Sequence, residues 1–123
     1  MGLAALGTTA IPFRRAIAGT GSDIAAVGLD GRQMTLKSAE VEDLRAGLRG
    51  ELITADQPAY EVARRLWNPA FDRKPALIVH CAGAADVRRA VQFAAARSLL
   101  TAVRGGGHSV SGQSGCEIGR AHV

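Results

Sequence analysis

Aromatic residues are scarce in this 123-residue chain: one Trp, one Tyr and three Phe, 4% in all. A core built from it must be filled by Leu, Ile, Val and Ala. The same scarcity argues against a platform for single-stranded nucleic acid, which needs rings interleaved with its cations. Two cysteines, Cys81 and Cys116, are too few for a disulfide scaffold. No apolar run reaches eighteen residues, which excludes an ordinary membrane-spanning helix. No internal repeat of fixed period is present. Acidic residues number 11 against 15 Lys and Arg, a formal net charge of +4. The cations are scattered, as Arg14-Arg15, Arg45, Arg49, Arg64-Arg65, Arg73-Lys74, Arg88-Arg89 and Arg104. That is the pattern of a solvated surface rather than of a nucleic-acid stripe. The balance of 47% hydrophobic and 21% charged residues is a globular mixture of one domain at most, or a piece of one.

Residues 1–22 stand apart. Gly2 to Phe13 is an apolar, small-residue run as long as a signal-peptide h-region, and Ala16-Ile17-Ala18 has the A-x-A form of a cleavage site. A charged n-region is missing, and Arg14-Arg15 lies on the wrong side of the run for an ordinary secretory signal. A basic segment there suits the twin-arginine route better. Two readings stand side by side: an export signal whose start lies upstream, or a weakly ordered tail on a cytoplasmic protein.

Gly19 to Gly31 is Gly-rich and aperiodic and reads as a linker. Ser38 is placed to cap a helix with Glu40 in its first turn and Gly50 past its end; Val41, Leu44 and Leu48 share one side. After a short extended segment at Leu52–Thr54, Asp56 is placed to cap a second helix, with Tyr60, Ala63, Leu66 and Trp67 as its apolar side. Asn68-Pro69 stops it. The next unit is the informative one. Residues 76–81 form an apolar run of strand length. Gly83 can cap a helix over about 84–97, with Asp86 at its third position and Val87, Ala90, Val91, Ala94 and Ala95 at helical spacing. A second apolar run comes next and ends in Arg104-Gly105-Gly106-Gly107-His108. Strand, helix, strand and glycine loop form a βαβ unit, whose strands, near 76–81 and 100–104, are expected parallel and adjacent. The fold class is α/β (α+β), with N-terminal helices followed by this unit. Ligands of such units gather beyond the carboxyl ends of the strands.

Three consecutive glycines let the backbone approach a ligand closely, with amides turned toward it. Two standard phosphate motifs fail. The dinucleotide fingerprint fits Gly105 and Gly107 but has Val110 where its third glycine belongs. A P-loop fits Gly107 to Ser114 except at its lysine, which is Gln113. A zinc site from His80, Cys81, His108, Cys116 and His122 has no standard ligand spacing. A plain flexible turn and a phosphate-binding module of another lineage stay open at this point.

Arg104-Gly105-Gly106-Gly107-His108-Ser109, with Gly112 after it, resembles the flavin-attachment loop of FAD-linked oxidoreductases of the vanillyl-alcohol oxidase/para-cresol methylhydroxylase type, berberine-bridge-enzyme-like. The stretch from Gly50 to Ala94 is similar to the lead-in of bacterial members, so the resemblance covers about Leu44 to Cys116. It implies an FAD cofactor whose pyrophosphate is held by the loop, with Arg104, Gly105, Gly106, Gly107, His108, Ser109 and Gly112 as cofactor-binding residues. It implies covalent attachment of the flavin through His108. A neutral imidazole is a competent nucleophile near pH 7. It further implies that the parent protein oxidises an alcohol or sugar-like small molecule by hydride transfer to FAD, with reoxidation by O₂. Cys116, eight residues past His108, is not equated with the second attachment cysteine of some members. The expected domains are a signal-like or disordered segment at 1–22, a linker and N-terminal helices at 23–72, and the N-terminal part of an FAD-binding domain at 73–123. Family members have several hundred residues, so this chain is expected to be an incomplete piece, inactive alone, with no catalytic residue of its own. The alternative is a truncated, non-enzymatic α/β remnant with no retained ligand.

Overall fold

A computed structural model describes residues 21–105 and 121–122. The first elements are two strands, β1 (Ile24–Val27) and β2 (Gln33–Leu36), paired antiparallel with Ile24 opposite Leu36 and Val27 opposite Gln33. Alternation turns Ala26 and Leu36 into the core. This hairpin replaces the linker expected over Gly19–Gly31. Its glycines make the turn instead: Gly31 has φ +78°, in the left-handed region, and its N–H donates to Gly28 O at 3.0 Å. The strand was obscured because alanines fill half of it and carry little strand propensity.

Helix α1 spans Ser38–Gly47 and buries Val41 and Leu44. Ser38 is not its cap but its first residue, following Lys37. The capping acceptor comes from fifteen residues upstream, where Asp23 Oδ1 takes the Ser38 N–H at 3.1 Å and Oδ2 takes Lys37 Nζ at 2.8 Å. Glu40 Oε2 accepts the Lys37 N–H at 3.2 Å. The helix ends at Gly47, with Leu48 already extended.

The larger sheet has four strands, in the order β3-β4-β6-β5. Strand β3 (Glu51–Thr54) is antiparallel to β4 (Leu77–His80), with Leu52 opposite Val79 and Ile53 opposite Ile78. Helix α3 (Ala84–Ala96) crosses from β4 to β5 (Thr101–Ala102). Strand β6 (Ala121–His122) lies between β4 and β5 and is parallel to both. The expected parallel relation of β4 and β5 therefore holds, in one sheet, but their adjacency does not. The crossover carries the chain past one strand position, and a later segment fills it.

One face of the sheet is covered by α1, α3 and the hairpin, in a cluster of Leu52, Leu77, Val79, Val41, Leu44, Ala90, Ala94, Leu99, Ala26 and Leu36. The other face buries Ile53 and Ile78 under Tyr60 of the four-residue helix α2 (Tyr60–Ala63). Asp56 does not cap α2. Its carboxylate accepts the Thr54 hydroxyl and closes the turn after β3. Leu66 is buried as expected, whereas Trp67 is 66% exposed, because α2 stops before a second helical turn could bring it round. On α3 the buried stripe is Asp86, Ala90 and Ala94; Val87 and Val91, expected in the core, are 43% and 47% exposed. Among the described residues no helix is long and apolar enough to cross a membrane.

Candidate functional site at the carboxyl edge of the sheet

The parallel register brings the carboxyl ends of β4, β5 and β6 to one edge. There β4 leads through Cys81 to Gly83 into α3, and β5 leads through Val103 and Arg104 to Gly105. Because Glu51 pairs with His80, the start of β3 and the preceding Arg49-Gly50 share this edge.

Asp86 ties these segments together. Gly83 caps α3 in extended backbone, so Asp86 falls at the third helical position and turns its side chain back over the turn. Its carboxylate, 2% exposed, accepts three main-chain N–H groups: Arg49 at 2.9 Å, Gly50 at 2.8 Å and Ala82 at 2.9 Å. The amides of Arg49 and then Ala82 hold its carboxyl below the usual aspartate range, against the cost of desolvation. The approach is close: a Cβ on Gly50 would stand 1.9 Å from His80 O. Beside it, burial first and the Asp86 charge second push the half-buried Cys81 thiol up. That leaves it protonated and a poor nucleophile.

Arg104 is half-buried, and its guanidinium is turned toward the C-terminal end of α2. Nη1 donates to Ala63 O and Nη2 to Arg65 O, both at 2.5 Å. The Ala63 carbonyl is the last of α2 and the Arg65 carbonyl lies two residues past it, where the helix provides no donors. Among the described residues Arg104 has no carboxylate partner. Gly105 is exposed, and a Cβ built on it would meet nothing within 4 Å. Among the described residues nothing crowds the backbone at Gly105.

Of the residues singled out in the sequence, Arg104 and Gly105 stand together at this edge. Gly106, Gly107, His108, Ser109 and Gly112 lie outside the described residues. Among the described residues no group of three or more His, Cys, Asp or Glu could hold a metal ion. Sequence reasoning read Asp86 only as a favourable charge on the helix dipole and missed its three amide partners. The signal available was the Gly83-x-x-Asp86 cap spacing; the donors from 36 and 37 residues upstream leave none.

Residues 75–121 match the family model described as an FAD binding domain. The chain is 32% identical over 65 residues to (R)-6-hydroxynicotine oxidase of Paenarthrobacter nicotinovorans, covering 53% of this chain and 14% of that one. It is 36% identical over 62 residues to the uncharacterized FAD-linked oxidoreductase YgaK of Bacillus subtilis (strain 168), covering 50% and 14%. In fold it is similar to the crystal structure of 6-hydroxy-D-nicotine oxidase from Arthrobacter nicotinovorans, with a TM-score of 0.57 and 28% identity over 62% of this chain and 17% of that chain. A second structural likeness, to the Physcomitrella patens BBE-like 1 protein, has a TM-score of 0.52 at 23% identity over 67% of this chain and 19% of that one, and bears on fold alone. The chain thus spans about one seventh of the length of the curated relatives it matches. Sequence and fold thus agree that the chain is similar to the FAD binding domain of FAD-linked oxidoreductases, the sequence match to the family model running over residues 75–121.

Proposed function

We propose that the loop leaving β5, Arg104 to Gly112, holds the pyrophosphate of FAD, and that His108 bonds covalently to the flavin 8α-methyl. The carrying observation is the convergence of three parallel strand ends at the edge from which this loop departs. Consecutive glycines there give amides a close approach to phosphate oxygens, and the open space at Gly105 suits such a ligand. Arg104 contributes charge at the loop's root while its guanidinium is held by α2. His108 comes directly after the glycines, within reach of a ring system anchored by them. FAD, when bound, supplies a two-electron hydride acceptor.

Residues 73–123 are accordingly read as belonging to the FAD-binding unit, with 23–72 packed against it and 1–22 preceding both. The whole protein is read as an oxidase of an alcohol or sugar-like small molecule, reoxidised by O₂. A second reading, in which the substrate is of the hydroxynicotine kind, is favoured by the likeness to a relative named as a hydroxynicotine oxidase.

The test grafts residues 1–116 onto the remainder of a full-length relative. After acid precipitation the chimera is expected to keep yellow flavin on the protein, and its His108→Ala version to release it. Flavin that stays covalently bound to the His108→Ala chimera, with no second attachment residue, refutes the role of His108. Absence of flavin from both chimeras, when the relative carries it, refutes the loop assignment.

A further inference from the structure

We infer that α2 is part of the frame of the cofactor site and that Arg104 is the positioning residue that joins it to the glycine loop. This rests on the reading of the loop as an FAD cradle. Strand β5 is short. Two residues, Thr101–Ala102, give little ladder with which to fix the direction in which the chain leaves the sheet. The segment beyond residue 104 is glycine-rich, and glycine restricts φ and ψ least. Arg104 is the last residue before that stretch, two positions past the ladder. Its guanidinium fork meets two carbonyls at the C-terminal end of α2, Ala63 O in its last residue and Arg65 O just past its cap, which fixes an orientation as well as a position.

The clasp is useful only if α2 is itself held, and it is. The Tyr60 ring is buried on Ile53 and Ile78, and its hydroxyl donates to Pro75 O at 2.6 Å. Tyr60 thus fastens α2 to the approach of β4, and Arg104 fastens it to the exit of β5. The helix is a strut across one face of the sheet, from the start of one parallel strand to the end of another. A charge attracting phosphate would need only the cation. A strut needs the two-pronged geometry, and Lys cannot supply it from a single nitrogen on a flexible stem.

The experiment uses the full 123-residue chain, with FAD as the probe. Dissociation constants are measured by flavin fluorescence for wild type, Arg104→Ala, Arg104→Lys, Tyr60→Phe and the double variant Tyr60→Phe/Arg104→Ala. Hydrogen exchange is followed across residues 60–66. Arg104→Ala is expected to weaken FAD binding about tenfold and to speed exchange in 60–66 while leaving α3 unchanged. Arg104→Lys is expected to stay within about threefold of Arg104→Ala. The double variant should lose less than the product of the two single losses, because both act through α2. Unchanged exchange in Arg104→Ala overturns the clasp. Faster exchange with unchanged FAD binding overturns the positioning role, as does near-complete rescue by Arg104→Lys. Strictly multiplicative losses overturn the strut. A wild-type chain that binds no FAD sinks the cradle reading and the positioning role together, a result distinct from failure of the clasp, which exchange reads separately.

Discussion

Ser98 is the non-glycine residue with positive φ among those described, at +50°. It sits one residue past the cap of α3, Arg97. The Leu99 N–H donates to Ala94 O at 2.9 Å and the Ser98 N–H to Ala95 O at 3.1 Å. That pair of bonds defines a Schellman ending, and Ser98 occupies the position that usually holds glycine. A left-handed conformation costs an L-residue about 1–2 kcal/mol. Glycine removes that cost but loses roughly 0.5–1 kcal/mol more backbone entropy on folding. Ser98→Gly is therefore expected to stabilise the protein by about 0.5–1 kcal/mol. In a domain of 60–100 residues, 1 kcal/mol moves Tm by about 4–8 °C, so a rise of about 2–8 °C is expected. Thermal melts by circular dichroism measure it, and urea midpoints at constant slope check that stability alone has changed. Two controls fix the cause. Ser98→Ala keeps the strained φ and should bring no gain; Ser98→Val adds a branched Cβ there and should destabilise. If glycine does no better than alanine, the assignment of Ser98 as a strained cap is refuted.

The register of α3 is tested by a reciprocal pair: Val87→Ala, on the exposed stripe, should be neutral or stabilising by a few tenths of a kcal/mol through helix propensity. Ala90→Val, on the buried stripe, should cost about 1–3 kcal/mol by overpacking; the opposite ranking in chemical melts would reverse the faces. Leu77→Ala, in the middle of the larger cluster, should cost about 2–5 kcal/mol by the same measurement. For Asp86 the sign comes from its lowered carboxyl pKa: the ionised group stabilises the fold above its ordinary value of 3.8, and that stability is lost as pH falls through the depressed folded value. The Tm difference between wild type and Asp86→Asn should be flat above about pH 5 and shrink below the ordinary aspartate range; a constant difference down to about pH 2 would contradict a buried carboxylate on three amides.

Some of this fold was legible in the sequence, and the rest was hidden for identifiable reasons. Strand β4 and helix α3 were readable because Leu-Ile-Val is a short apolar run rich in β-branching and Gly83 and Asp86 stand at cap spacing. The face of α3 was not. Val87, Val91 and Ala95 form one stripe at intervals of four, and Asp86, Ala90 and Ala94 form the stripe beside it. The first is the more hydrophobic and reads as core. It is exposed because an acidic residue begins the second, and the fold has a use for a buried acid there. Strand β6 was unreadable because two residues carry no period.

The candidate site divides in the same way. A glycine loop at a strand's carboxyl end could be placed from the pattern alone, and Gly105 stands at that edge. What could not be read was where the charges beside it go. Asp86 answers the amides of Arg49, Gly50 and Ala82, and Arg104 answers the carbonyls of Ala63 and Arg65. Each of these charged side chains is committed to the main chain of a different segment. Main-chain donors and acceptors are the same in every residue, so no residue type in the sequence marks them as partners. Each commitment also joins segments far apart in the chain, 36 or 37 residues for Asp86 with the two residues before β3, and 39 or 41 for Arg104 with the end of α2 and the residues just past it. Charges that would read as ligand contacts thus serve first to fix the edge from which the glycine loop departs.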